Sequence, residues 1–203
     1  AMGGEPLWAL IDVVAPPRMA MARLERIYRA VGRLGARLGL AVIGGDMAAG
    51  PTLELHVFAV GRVPAGTAIL RAGARPGDVL YVTGSLGGSL AGRHLRFEPR
   101  LREGAWLRQG RWATAMMDVS DGLAADLPRL AAASHVGMEL SLEAIPVSAA
   151  ARAAKDGIPP VLHALEDGED FELLFTVPYV RRAAFEKAWR KTFPLACTAI
   201  GHA

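Results

Sequence analysis

The chain has 203 residues, 52% hydrophobic and 21% charged, with glycine and proline spread along it, a profile that excludes a disordered chain and suffices for one large or two small cores. Its formal charge of +3 and pI near 9.4, carried mostly by arginine, point to an anionic partner, with phosphates the expected kind. The single cysteine, Cys197, excludes an intramolecular disulfide and a cysteine-based zinc site; no run is long and apolar enough to span a membrane, and neither export nor insertion is expected, so a cytoplasmic protein is the expectation.

Residues 7–14, LWALIDVV, are apolar and β-branched enough for a strand, which Pro16-Pro17 ends. A helix follows over 19–38, where Leu24, Ile27, Tyr28, Val31, Leu34 and Leu38 recur at spacings of three and four and predict one buried stripe, with Gly39 as the C-cap. The short strand LAVI leads into GGDMAAGP, and TLELHVFAVGRV is a second clear strand. A Pro- and Gly-rich connector then marks a domain boundary near residue 65. Beyond it the patterns predict a strand over 79–83, helices over 86–96 and 99–110, the strand TAMMDV, a helix over 121–134 and the strand GMELSL. After a loop and a short helix come DFELLFTV, a helix over 179–189 and a last strand near 198–200.

The segment MMDVSDGLAADL runs from strand into helix with Asp118, Ser120 and Asp121 at the join. Asp118 and Ser120 lie two apart on an extended segment and share a face, while Asp121 falls where the helix begins. A helix start suits phosphate oxygens, and two carboxylates offer hard oxygen ligands for Mg2+. Taken alone, Ser120 or Asp121 is better read as a helix cap, but capping leaves Asp118, a carboxylate at the end of an apolar strand, unexplained. VIGGDMAAG repeats the design: Gly44 and Gly45 would let a phosphate approach the backbone and Asp46 could bind a cation, although a plain turn reads the same way. In EDGEDFELLFTV, the carboxylates of Glu166, Asp167, Glu169 and Asp170 precede a bulky strand, and solvated loop charge is the expectation for them. The basic stretch over 92–111 interleaves arginines with Phe97 and Trp106, but Glu98 and Glu103 interrupt it, so a solvated helix face is expected and nucleic acid is not. The five histidines have no metal-ligand spacing, and Tyr28 is expected in the core, with stacking on a base as the alternative.

Taken together, AMGGEPLWAL, VIGGD, LRAGARPGDVLYVTG, MMDVSDGLAADL and GEDFELLFTVP resemble, in order and at similar intervals, the blocks of the thiamine-monophosphate kinases, a family related to aminoimidazole ribonucleotide synthetase. The resemblance implies an α+β fold of two α/β sandwich domains, the first incomplete: residues 1–64 as the remnant of an ATP-binding domain and 65–203 as the C-terminal sandwich. It implies transfer of the γ-phosphoryl group of ATP to thiamine monophosphate, with Mg2+ and K+ as cations, no nucleic acid or membrane partner, and a homodimer when the family's N-terminal segment is present. By motif, Asp46, Asp118 and Asp121 would bind magnesium; Gly45, Arg71 and Ser120 would contact ATP; Tyr28 would lie against the nucleotide; and Glu169 would hold the thiamine moiety. Against the family pattern the chain begins late and stops early, it has GGDMAA where hydroxyl residues follow the aspartate, and Asp167 replaces a glycine. An inactive binding module and a related ATP-dependent enzyme with another substrate are the alternative readings. With strands of the first domain missing, Leu24, Ile27 and Val31 are expected to be partly uncovered and the chain to self-associate.

Overall fold

Eleven residues, Glu5–Ala15, form β1, the central strand of a first unit that spans Gly4–Pro64; the second unit comprises Ala65–Ala203 together with Ala1–Gly3. The computed structural model describes residues 1–203. In β1 the alternation of side chains buries Ala9, Ile11, Val13 and Ala15 on one face, where they pack with Leu24 of helix α1 (Met21–Leu38). The opposite face leaves Trp8 48% and Leu10 42% exposed. Gly39 closes α1 in the left-handed conformation, φ 70°, as its sequence position predicts.

Strands β2 (Ala41–Gly44) and β3 (Met47–Ala49) both run parallel to β1, with Ala41 opposite Trp8 and Met47 opposite Val13. They are two halves of one line of chain, interrupted at Gly45 and Asp46. The sequence pattern shows only a turn there, because MAA has neither alternation nor β-branched residues. On the other side of β1, β4 (Glu54–Arg62) pairs antiparallel along its length and is exposed on both faces. The helix stripe is narrower than its periodicity implies: only Leu24 and Gly35 are buried, Ile27 and Val31 are half-buried, and Tyr28 and Leu34 are exposed. A single helix over a sheet this narrow has no more surface to cover.

The second unit is a five-stranded sheet in the order β6-β8-β5-β9-β7, antiparallel throughout. Its strands are β5 (Val79–Thr83), β6 (Ala115–Val119), β7 (Glu139–Leu140), β8 (Glu172–Val177) and β9 (Cys197–His202). On one face Leu80, Val82, Met117, Val119 and Leu174 pack against Leu123, Leu127 and Leu130 of α3 (Leu123–Ser134), with α4 (Ala149–Ala153) and α5 (Pro160–Glu166) completing the layer. The other face is aromatic: Tyr81 and Phe175 meet Phe185 and Trp189 of α6 (Arg182–Thr192) beside Leu107 of α2 (Leu101–Gln109). Helices on both faces of one sheet give the α/β sandwich expected for this half.

Three local expectations need correction. The helix over 86–96 is two 3-10 turns, Ser89–Ala91 and Arg93–Leu95, because Gly87, Gly88 and Gly92 take positive φ and break helical continuity. GMELSL contributes only the two paired residues of β7. The basic stretch over 92–111 is not a solvated face: Arg93 pairs with Asp170, Arg100 with Glu172, Phe97 stacks on Phe171, and Trp106 packs in the aromatic layer. No helix is long and apolar enough to cross a membrane.

Candidate functional site

β6 delivers Asp118 to the end of the sheet, opposite Leu173 of β8, where its half-buried carboxylate has no protein partner. An unpaired carboxylate in that position is costly unless water or a cation satisfies it. The chain then turns through Ser120 and Asp121 into α3, and the N-cap is Gly122, at φ 98° and without a side-chain bond. Capping therefore does not occupy Ser120 or Asp121. Instead Asp126, fully buried in the first turn of α3, reaches back so that its Oδ2 accepts the N–H groups of Ser120 and Asp121 at 2.8 and 3.0 Å. Its Oδ1 accepts from Nη1 of Arg129 at 2.7 Å, and the same nitrogen donates to Asp121 Oδ2 at 2.5 Å. These bonds leave the two N–H groups unavailable to phosphate, but they fix the loop that presents both carboxylates.

The segment after α5 is bonded to this loop through the backbone. Glu169 N–H donates to Ser120 C=O at 2.7 Å and Phe171 N–H to Val119 C=O at 2.8 Å. Glu169 is exposed and Asp170 is buried, so the four carboxylates are not the uniform solvated charge expected of them. Asp167 accepts from Gly88 N–H at 2.7 Å and from His163 Nδ1 at 3.0 Å, and that bond lifts the imidazole above its ordinary range. Burial pushes the Asp170 carboxyl up to about 6, against the opposing pull of the Gly87 amide and the Arg93 guanidinium. Glu172 takes both Arg100 nitrogens, at 2.7 and 2.6 Å, and the Thr83 hydroxyl at 2.6 Å.

Asp118, Ser120, Asp121 and Glu169 thus gather at one corner of the second unit. Arg71 does not join them: its carbonyl accepts from Ser134 Oγ at 2.8 Å, at the opposite end of α3. In the first unit, Tyr28, Gly45 and Asp46 line one cavity of about 400 Å³ with Ile11, Val42, Gly44 and Met47. Tyr28 is 39% exposed there, which sets aside the core position expected for it. Gly45 has φ 152°, and a Cβ at that position would lie 1.9 Å from the Ile11 carbonyl, so only glycine fits. Asp46 N–H donates to Asp12 Oδ1 at 2.8 Å, and Asp46 Oδ1 accepts its neighbour's Met47 N–H at 2.8 Å.

No group of three or more His, Cys, Asp or Glu side chains is arranged to hold a metal ion. Asp118 and Asp121 nevertheless fit Mg2+, which commonly binds proteins through one or two carboxylates and completes its shell with water and substrate phosphates. Sequence reasoning missed Asp126, Arg129 and Arg93. An acidic residue in the first turn of a helix after Ser-Asp-Gly was an available signal for Asp126; Arg93 depends on pairing across the fold and had none.

Residues 1–63 match the family model described as AIR synthase related protein, N-terminal domain, and residues 75–201 match the C-terminal domain of the same family. The thiamine-monophosphate kinase of Rhodopirellula baltica is 43% identical over 190 residues, covering 92% of this chain and 59% of that protein. The crystal structure of thiamine monophosphate kinase from Aquifex aeolicus superposes with a TM-score of 0.87 at 33% identity, covering all of this chain and 72% of that one. The chain belongs to the thiamine-monophosphate kinase family. AaThiL complexed with AMPPCP and TMP, a family member of TM-score 0.81 and 33% identity, covers the whole chain, which spans 68% of it. The chain spans about six-tenths of the length of the first curated relatives it matches, 59% and 63% for the first two.

Proposed function

We propose that this chain carries the phosphoryl-transfer site of a thiamine-monophosphate kinase, moving the γ-phosphoryl group of ATP onto the phosphate of thiamine monophosphate to give thiamine diphosphate. The observation that carries the reading is the 2.7 Å bond from Glu169 N–H to Ser120 C=O, which joins the backbone of the residue proposed for thiamine to the loop that holds Asp118 and Asp121. The AMPPCP and TMP bound by the related structure support the same pair of substrates.

Phosphoryl transfer asks a protein for positioning and charge neutralisation rather than covalent chemistry. Asp118 and Asp121 are the proposed Mg2+ ligands of the second unit, and Asp46 is proposed to bind Mg2+ in the first; the ion, when bound, supplies neutralisation of phosphate charge, and K+ is proposed as a further cation. In the second unit Ser120 takes nucleotide phosphate, and Arg71, at the far end of α3, is left out of that contact; in the first unit Gly45 lets a phosphate approach and Tyr28 lies against the nucleotide; Glu169 accepts from the aminopyrimidine of thiamine. A homodimer is proposed when the family's N-terminal segment is present, supported by the exposure of Trp8, Leu10 and Phe58 on one sheet face of the first unit, and the cytoplasm is the proposed compartment. The test is to incubate the chain with Mg-ATP and thiamine monophosphate and follow thiamine diphosphate by chromatography. Asp118→Asn and Asp121→Asn should abolish turnover, and full rates in both would refute the site.

A further inference from the structure

Asp170 is 2% exposed, yet its carboxylate bonds the Glu169 turn to the segment that carries Gly87 and Arg93. Both carboxylate oxygens accept the Gly87 N–H, at 3.1 and 2.9 Å, and Oδ1 also takes the Arg93 guanidinium. Arg93 donates in addition to the Ser85 carbonyl at 2.6 Å, and Ser89 Oγ donates to the Glu169 carbonyl at 2.6 Å. The glycine segment cannot be displaced by a side chain at Gly87, because a Cβ there would meet the backbone of His163 and Ala164 at 2.6 to 2.7 Å.

The residues on either side of Asp170, Glu169 and Phe171, have φ of 55° and 52°. L-residues with side chains avoid this region, and such a turn persists only where the surroundings over-determine it. The surroundings here are the Ser120 and Val119 carbonyls on one flank and the Asp170 clamp on the other. A charged carboxylate is a poor choice for packing alone, since an ion pair removed from water often contributes less stability than an apolar group of the same size.

We infer that Asp170 is a positioning residue: clamped by Arg93 and Gly87, it holds Glu169 in its left-handed conformation and aims that side chain beside the Ser120–Asp121 loop. The ligand held by Glu169 rests on the function proposed above, whereas the clamp itself does not, and its test separates the two. Residue-resolved amide hydrogen exchange on Asp170→Ala should show the amides of Gly87, Glu169 and Phe171 exchanging at least about tenfold faster, while Val82 and Leu174 in the sheet stay as protected as before. The same variant should raise the dissociation constant for thiamine monophosphate about tenfold and leave that for Mg-AMPPCP near its original value. Arg93→Gln should reproduce both effects, and Arg93→Lys, which keeps a charge for Asp170, should restore them in part. If Asp170→Ala does not fold, Arg93→Gln decides the matter, since Asp170 is then intact. Exchange that rises uniformly across the sheet, or does not rise at all, overturns the inference, and so does unchanged affinity in a variant whose turn has loosened. Localised loosening in a chain whose parent form binds no thiamine monophosphate upholds the clamp and refutes the substrate instead.

Discussion

Asp126 holds Ser120 from inside the following helix: its buried Oδ2 accepts the Ser120 N–H at 2.8 Å, so the proposed metal loop is anchored by a residue six positions further on. Asp126→Ala would leave the part-buried Ser120 N–H without its partner, at a cost of about 1–3 kcal/mol for an unmet donor, while the N–H of the exposed Asp121 turns to water. Urea denaturation should show a loss of that size, with weaker Mg2+ binding. A midpoint unchanged from the parent chain would mean that the loop holds itself.

Arg129 competes with any cation for Asp121, since one of its nitrogens bonds both Asp121 and Asp126. Arg129→Met should therefore tighten Mg2+ binding severalfold in calorimetry by freeing the Asp121 oxygen, whereas removal of a mere bystander would leave the affinity as it was.

Gly45→Ala combines a positive φ with a collision against the Ile11 carbonyl. The first unit should lose at least about 1–2 kcal/mol of stability, visible as a lowered melting transition. A Tyr28-lined cavity that survives the substitution unchanged would contradict the close approach of Gly45 to the Ile11 carbonyl.

His163 gains its hydrogen bond to Asp167 only in the folded chain, and its pKa is raised as a result. A raised folded value means that the stabilisation is complete below the unfolded pKa of about 6.5 and is lost as pH rises through the folded value. The melting temperature of the parent chain should fall relative to His163→Asn as pH increases from about 6 to 8. Parallel profiles for the two proteins would show that the His163–Asp167 bond contributes nothing to stability.

Phe58 is 65% exposed on the sheet face that also bares Trp8. Phe58→Lys should shift sedimentation toward smaller species, and a parent chain that already sediments as a monomer would exclude this face as a self-association surface.

The strands carrying the site were legible because β6 and β8 are apolar runs closed by acidic residues, a local pattern that needs no knowledge of the rest of the fold. Asp118 stood out for the same reason: packing cannot explain a carboxylate at the end of such a run. What escaped detection depended on distant partners. Arg93 and Arg100 look like surface arginines until β8 brings Asp170 and Glu172 to them, 77 and 72 positions away. Asp170 and Glu169 are adjacent in an acidic stretch, and only the two left-handed residues send one inward and leave the other exposed. The glycines between 87 and 92 likewise override a helical composition through backbone conformation, which hydrophobic periodicity does not register.

The left-handed pair at Glu169 and Phe171 also bears on engineering for heat tolerance. Each holds conformational energy of order 1–3 kcal/mol that a glycine at the same position would release, so Glu169→Gly should raise the melting temperature while discarding the carboxylate. Any campaign that selects this protein for thermal survival alone will find that turn early, and will gain robustness by erasing the carboxylate proposed to hold thiamine.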